Sequence, residues 1–261
     1  MQYYQMTGFL GGPDPCTQKA DDIDLPHPDT AALLLDFDGT LVDIADRPDG
    51  ITVPDDLGDL LARAMDRTDG AVALVSGRTI DDLVQFLPGF DGTLIGAHGS
   101  EFRVAGERFP AADFDHDTIE RLQRLVEDFG ALRPEFLVEP KPTGVVLHYR
   151  QAEALGALAL HFMESLADAA EGFRLQPALM AYEIKPESVG KDIALDRLLD
   201  DGPFAGRTPI YAGDDLTDEP ALKLVRARGG AAIKIGDAET VAAHRLADPT
   251  ALRTLLDGWL G

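Results

Sequence analysis

The sequence has a single cysteine, Cys16, so no internal disulfide framework holds this chain together. That cysteine stands in a Gly/Pro-rich opening stretch and reads as a bystander rather than a catalytic thiol. Basic residues are scarce as well: 23 Lys and Arg stand against 46 Asp and Glu, for a formal net charge of -23. So acidic a chain argues against nucleic acid and anionic membrane as partners, because both require a basic face. No apolar run reaches the length that spans a bilayer. The opening MQYYQMTGFLGGPDPCTQ lacks a basic start and a long apolar segment, so it does not read as a secretory signal, and a cytoplasmic location is the expectation.

What is present is ordinary for a globular protein: 261 residues, 45% hydrophobic and 26% charged. That length accommodates one large α/β domain or two smaller ones. Residues 1–29 carry Gly, Pro and Asp with little periodicity and read as a flexible leader. The chain then turns to AALLLDFDGTL, an apolar run that stops abruptly at Asp36-Phe37-Asp38-Gly39-Thr40. Such a run reads as a buried parallel strand that delivers two carboxylates to the carboxyl edge of a sheet, where open α/β folds bind ligands.

Residues two apart on an extended strand project to the same side, so Asp36 and Asp38 can act together. Crowded carboxylates are costly unless a cation or proton sits between them. One can attack phosphorus while the other gives a proton to the leaving oxygen and later takes one from water. A hard cation such as Mg2+ would offset the repulsion between an anionic nucleophile and an anionic substrate. Taken alone, the stretch is equally a solvated Asp-Gly turn, and partners further along the chain decide between the two.

Those partners follow at apolar strand ends. Ala71–Val75 ends in Ser76-Gly77-Arg78 before a helix over Ile80–Leu87, which places a hydroxyl and main-chain N–H groups where an anion can bind. Thr93–Ala97 runs into His98-Gly99-Ser100-Glu101, with His98 read as a hydrogen-bonded structural histidine. Lys191 opens the helix KDIALDRLLD, and Thr208–Ala212 ends in Gly213-Asp214-Asp215-Leu216-Thr217-Asp218-Glu219, an oxygen-rich cluster that suits Mg2+ rather than zinc. A last strand is expected at Ala231–Ile235, with helices over Ala238–Arg245 and Thr250–Leu260.

Between the second and third of these strand-end motifs the pattern changes. A helix over Asp117–Phe129, strands at Phe136–Lys141 and Gly144–Tyr149, a helix over Ala152–Ala170 and a strand at Phe173–Gln176 suggest an inserted small α/β unit. The expected division is a core of residues 30–103 and 183–261 with an inserted cap of residues 104–182.

DFDGTL resembles the first motif of the haloacid-dehalogenase-like phosphohydrolases, and the strand-end motifs above follow it in the order of that superfamily. The resemblance implies a Rossmannoid parallel-sheet core with a smaller α/β cap. It makes Asp36 the nucleophile that becomes a phosphoaspartate and Asp38 the general acid and base. Ser76, Gly77 and Lys191 would bind phosphate, with Arg78 among the substrate contacts. Asp36, the Asp38 carbonyl and Asp214 would hold Mg2+, while Asp215 and Asp218 orient the metal shell or Lys191.

LHYRQA and Glu183-Ile184-Lys185-Pro186 are similar to the trehalose-6-phosphate phosphatases within that superfamily. This likeness implies that Lys141, His148, Arg150 and Glu183 grip sugar hydroxyls. It also implies trehalose 6-phosphate as substrate and functional pairing with a trehalose-6-phosphate synthase. One departure stands out, because the superfamily's usual Asn-Lys-Gly is Gly190-Lys191-Asp192 here. Phosphatases of other sugar phosphates, and a noncatalytic sugar-phosphate sensor, are the competing readings.

Overall fold

The computed structural model describes residues 23–45, 47, 50–110 and 115–261. Cys16 and residues 1–22 of the expected leader lie outside them. Residues 23–29 are not a free leader: Ile23 is buried in the core, and the Trp259 indole donates to the Pro26 carbonyl at 2.7 Å.

Strand β1 (Ala31–Leu35) is buried along its whole length and forms the centre of the molecule. Helix α1 (Leu57–Arg67) follows, with Leu57, Leu60, Leu61 and Ala64 on one stripe at helical spacing that docks onto the sheet. The chain continues through β2 (Val72–Val75), α2 (Ile80–Phe86), β3 (Thr93–Gly96), β4 (Glu101–Val104) and β5 (Glu107–Pro110). An insertion then runs through α3 (His116–Gly130), β6 (Leu137–Lys141), β7 (Gly144–His148), α4 (Gly156–Ala169), β8 (Phe173–Ala178) and β9 (Ala181–Pro186). The remaining elements are α5 (Lys191–Leu198), β10 (Thr208–Gly213), α6 (Glu219–Ala227), β11 (Ala231–Ile235), β12 (His244–Leu246) and α7 (Pro249–Leu260).

Two sheets result. The larger has eight strands in the order β12-β11-β10-β1-β2-β3-β4-β5, parallel from β12 to β3 and antiparallel at β4 and β5. Alternate residues of β1 feed separate cores: Leu33 and Leu35 pack with α1, α2 and α7 on one face, Leu34 with α5 and α6 on the other. A strand covered on both faces has to be apolar throughout, which is why AALLL shows no alternation. The smaller sheet, β6-β7-β9-β8, is antiparallel, and α3 and α4 cover one face through Val145, Leu147, Ile184 and Met163.

The expected boundaries shift at both ends of the insertion. Residues 107–110, expected in the cap, extend the larger sheet as β5, and residues 183–186, expected in the core, belong to the smaller sheet as the end of β9. The helix expected over Ala238–Arg245 is absent, and β12 occupies its end. Three residues there satisfy their main chains on β11, and the burial of Leu246 outweighs the helix preference of the alanine-rich stretch.

Candidate active site

The carboxyl end of β1 lies between those of β10 and β2, with the Asp36 N–H bonded to the Ala212 carbonyl at 3.0 Å. Gly39 turns the chain away at φ +74°, and a Cβ there would stand 2.1 Å from Oδ2 of Asp214. Only glycine allows both that backbone and that approach, so the first and last acidic motifs touch through it. The Thr40 hydroxyl donates to Asp214 at 3.4 Å and adds a second tie.

Lys191, at the first position of α5, joins two strand ends, those of β1 and β10. Its Nζ donates to Asp36 at 2.7 Å and to Asp218 at 2.6 Å, and all three side chains are buried. Asp218 also accepts from the Tyr211 hydroxyl at 2.5 Å and the Asp215 N–H at 3.0 Å. The side chain of Asp215 caps the short turn Leu216–Asp218, so it supports the turn that presents Asp218. Asp38 is held differently: Arg78 grips it bidentately, Nε to Oδ2 at 2.6 Å and Nη2 to Oδ1 at 2.7 Å.

The charges are unevenly shared. Burial would raise Asp218, yet the Lys191 charge and the hydrogen bonds of Lys191 and Tyr211 bring it below the ordinary carboxylate range. Burial would lower Lys191, and the charges of Asp218 and Asp36 outweigh this and raise it. Asp36 is pushed well up by burial and by the Asp218 charge, against the pull of Lys191. Asp214 rises to about 6 through burial and the Asp218 charge. One ammonium serves two of the three acids, and the surplus negative charge falls on Asp36 and Asp214.

That surplus bears on metal binding. Asp36, Asp214 and Asp218 each offer an oxygen, all within 4.8 Å of one another. Asp218 is already engaged by three donors, which leaves Asp36 and Asp214 facing a place where a hard divalent cation fits.

A cavity of about 780 Å3 opens over these groups, and Asp36, Asp38, Ser76, Arg78, Lys191 and Asp214 all line it. Gly77 lines it too, against the imidazole of His98. Ser76 is buried and its hydroxyl accepts the Arg78 N–H at 3.1 Å, while the cap of α2 is Thr79. His98 is lowered to about 3, by burial first and then by the charges of Lys191, Lys141 and Lys185, so it is a neutral imidazole at neutral pH.

The expected sugar contacts lie on the smaller sheet. Strand register puts Lys141, His148 and Glu183 on the face opposite α3 and α4, together with Lys185 and Arg174. Lys141 and Glu183 stand 3.8 Å apart, His148 pairs with Glu139 at 2.9 Å, and Arg150 is exposed beyond β7. None of these four lines the catalytic cavity; from the smaller sheet's connections only Leu179, in the β8–β9 turn, reaches it.

Sequence reasoning missed two buried lysines and a tyrosine. Lys185 is lowered to about 8 by burial, and Lys234 donates to the Asp214 carbonyl at 2.6 Å beneath the acidic turn. Tyr211 read as part of an apolar strand, although a hydroxyl two residues before the Gly-Asp-Asp turn was a signal that it has a polar partner.

A family model described as trehalose-phosphatase matches residues 34–252. The trehalose-6-phosphate phosphatase of Escherichia coli (strain K12) is 32% identical over 216 residues, covering 83% of this chain and 81% of that protein. A bifunctional trehalose-6-phosphate synthase/phosphatase of Thermoproteus tenax is 32% identical over 231 residues, covering 86% of this chain and 31% of its own. Among solved structures, the C-terminal domain of Candida albicans trehalose-6-phosphate phosphatase superposes with a TM-score of 0.72 at 23% identity, covering 88% of this chain and 92% of that one. That last likeness speaks for the fold.

Proposed function

The chain belongs to the trehalose-phosphatase family, and from that premise we propose that it hydrolyses trehalose 6-phosphate to trehalose and phosphate through a phosphoaspartate on Asp36. The observation that carries the mechanism is the Lys191 ammonium between Asp36 and Asp218, at 2.7 and 2.6 Å. It holds a buried carboxylate in one orientation at the cavity floor, and it lies where charge builds on a transferring phosphoryl group.

Asp36 attacks phosphorus in line, and the bond from phosphorus to the sugar oxygen breaks as Asp38 gives that oxygen a proton. Asp38 then takes a proton from water, whose oxygen displaces Asp36 from phosphorus and restores the free carboxylate. In the resting site Arg78 grips Asp38 with two hydrogen bonds. Taking up a proton requires that fork to loosen, and an arriving phosphate does this by attracting the guanidinium to itself. Ser76 and Gly77 line the phosphate end of the cavity.

Mg2+ held by Asp36, Asp214 and the Asp38 main-chain carbonyl would supply neutralisation of the phosphoryl oxygens. Asp218 fixes Lys191, and Asp215 fixes the turn that carries Asp218. On the smaller sheet, Lys141, His148, Arg150 and Glu183 are the sugar contacts, brought over the cavity when the two sheets close on substrate. The division into a core of residues 30–103 and 183–261 and a cap of residues 104–182 keeps its functional sense with the two boundary changes above. The relative that joins both activities in one chain supports functional pairing with a trehalose-6-phosphate synthase. No described helix is long and apolar enough to cross a membrane. A cytoplasmic site of action is part of the proposal.

The test is phosphate release from trehalose 6-phosphate beside sucrose 6-phosphate, glucose 6-phosphate and an aryl phosphate, with Mg2+ and with a chelator. Trehalose 6-phosphate is expected to be preferred, with activity lost to the chelator and restored by Mg2+. Preference for another ester would overturn the substrate, and no release from any ester would overturn the catalytic reading.

A further inference from the structure

An acid beside the catalytic lysine is an electrostatic liability in a phosphate site, and Asp192 is such an acid. Its surroundings show how this chain accommodates it. Oδ1 of Asp192 lies 3.7 Å from Nη2 of Arg174, a residue of β8 in the smaller sheet. The same Nη2 donates to the main-chain carbonyl of Val189, two residues before Lys191, at 3.2 Å. One guanidinium thus touches the chain on both sides of the lysine, reaching across from the other sheet.

Gly190 supplies an independent observation. Its backbone is extended, at φ -179°, so any residue could adopt that conformation. Space is what excludes a side chain: a Cβ there would stand 2.4 Å from Oδ1 of Asp192 and 2.6 Å from Nη2 of Arg174. The Arg174–Asp192 pair fills the volume that a larger residue at 190 needs. Gly190, Asp192 and Arg174 therefore form one interlocked contact around Lys191. Across the strands Arg174 is paired in register with Lys185, which also feels the Asp192 charge.

We propose that Arg174, held in place by the Val189 carbonyl, is a positioning residue that neutralises Asp192 beside the lysine serving the nucleophile. The proposal rests on the phosphatase reading, because its effect is read in phosphate affinity and transfer. It carries a specific consequence: the harm done by losing Arg174 comes from Asp192, and it disappears when Asp192 goes too.

The experiment is a double-mutant cycle of Arg174→Ala, Asp192→Gly and the pair, assayed on trehalose 6-phosphate and on an aryl phosphate. For a half-buried pair, Arg174→Ala should lower kcat/KM on both esters by about tenfold, with Asp192→Gly near wild type. The double variant should return to within about threefold of wild type, which a purely architectural role for Arg174 would not produce. Equal damage in the single and double variants, no damage in the single, or damage confined to the sugar ester would each overturn the proposal. If Arg174→Ala does not fold, Arg174→Gln with and without Asp192→Gly carries the same cycle. Orthophosphate binding by calorimetry follows the same order of variants independently of turnover, so failure of the wild type to hydrolyse either ester overturns the function and leaves the cycle decisive.

Discussion

The carboxyl edge of the larger sheet and the polar face of the smaller one both carry charged side chains, but they hold them in different ways. At the sheet edge Lys191, Asp36, Asp218 and Tyr211 are buried and linked by contacts of 2.5 to 2.7 Å. On the opposing face Lys141 and Glu183 are 3.8 Å apart, and His148 has only Glu139 at a half-exposed site. The first set is fixed by its own hydrogen bonds and pre-organised for charge that appears during reaction. The second has hydrogen-bonding capacity left over, which is what a hydroxyl-rich ligand requires. In the function proposed above, chemistry belongs to one sheet and choice of leaving group to the other.

The sharpest way to break this comparison is Asp36→Asn. It keeps the shape of the edge and removes the nucleophile, so turnover should fall by roughly 10^4-fold or more on every ester while the unfolding transition persists. Phosphate release in excess of enzyme by that variant would show that the edge is not where the chemistry occurs. A smaller and more selective effect is expected from Glu183→Ala, which removes an acceptor for sugar hydroxyls. It should cost about 10- to 100-fold in kcat/KM on trehalose 6-phosphate and less than about threefold on an aryl phosphate. Equal losses on both would erase the distinction between the two regions.

The smallest effect is at His98, which feels cations from both regions. It is neutral when folded down to about 3, whereas an unfolded chain takes up its proton near the ordinary value of 6.5. Between those values the unfolded state binds more protons, so this contribution is present above pH 6.5 and is lost progressively as pH falls below it. At pH 5 the loss relative to His98→Gln should be about 2 kcal/mol, read as the difference in denaturant unfolding between pH 7.5 and 5. Identical pH dependence in the two proteins would contradict a buried neutral imidazole.

How far the sequence disclosed all this depends on the range of the interactions involved. The edge strands were legible because each motif is a local event, an apolar run ending in a polar turn, and β1, β2, β3 and β10 lie close to where those runs predict them. Sheet membership at the boundaries was not. β5 joins its sheet as a hairpin with β4 and β9 joins its own as a hairpin with β8, and the expected boundaries cut through both hairpins because the switch between sheets carries no local signal, while β12 overrides a helix-prone composition by pairing with β11. Within the site, Asp36, Asp38, Ser76, Lys191 and Asp214 converge on one cavity. Arg78 was expected among the substrate contacts, and its hold on Asp38 became visible only in three dimensions. Asp192 looked like a local defect, and its counter-charge comes from Arg174 on the other sheet.

The central place of β1 has a consequence for how the protein is made. One of its neighbours, β2, begins at Val72, but the other, β10, begins only at Thr208. On a ribosome adding about 5 to 20 residues per second, that gap is roughly ten to thirty seconds. Throughout it, a wholly apolar strand has one hydrogen-bonding edge without its partner, a state that invites mispairing. Asp36 is made long before Lys191 and Asp214, so a chain stopped ahead of α5 carries this carboxylate without its ammonium partner or the acidic turn. The arrangement keeps Asp36 apart from Lys191 and Asp214 until β10 and its turn have been made, and it makes the interval before β10 docks the stage at which the nascent protein most needs protection from its neighbours.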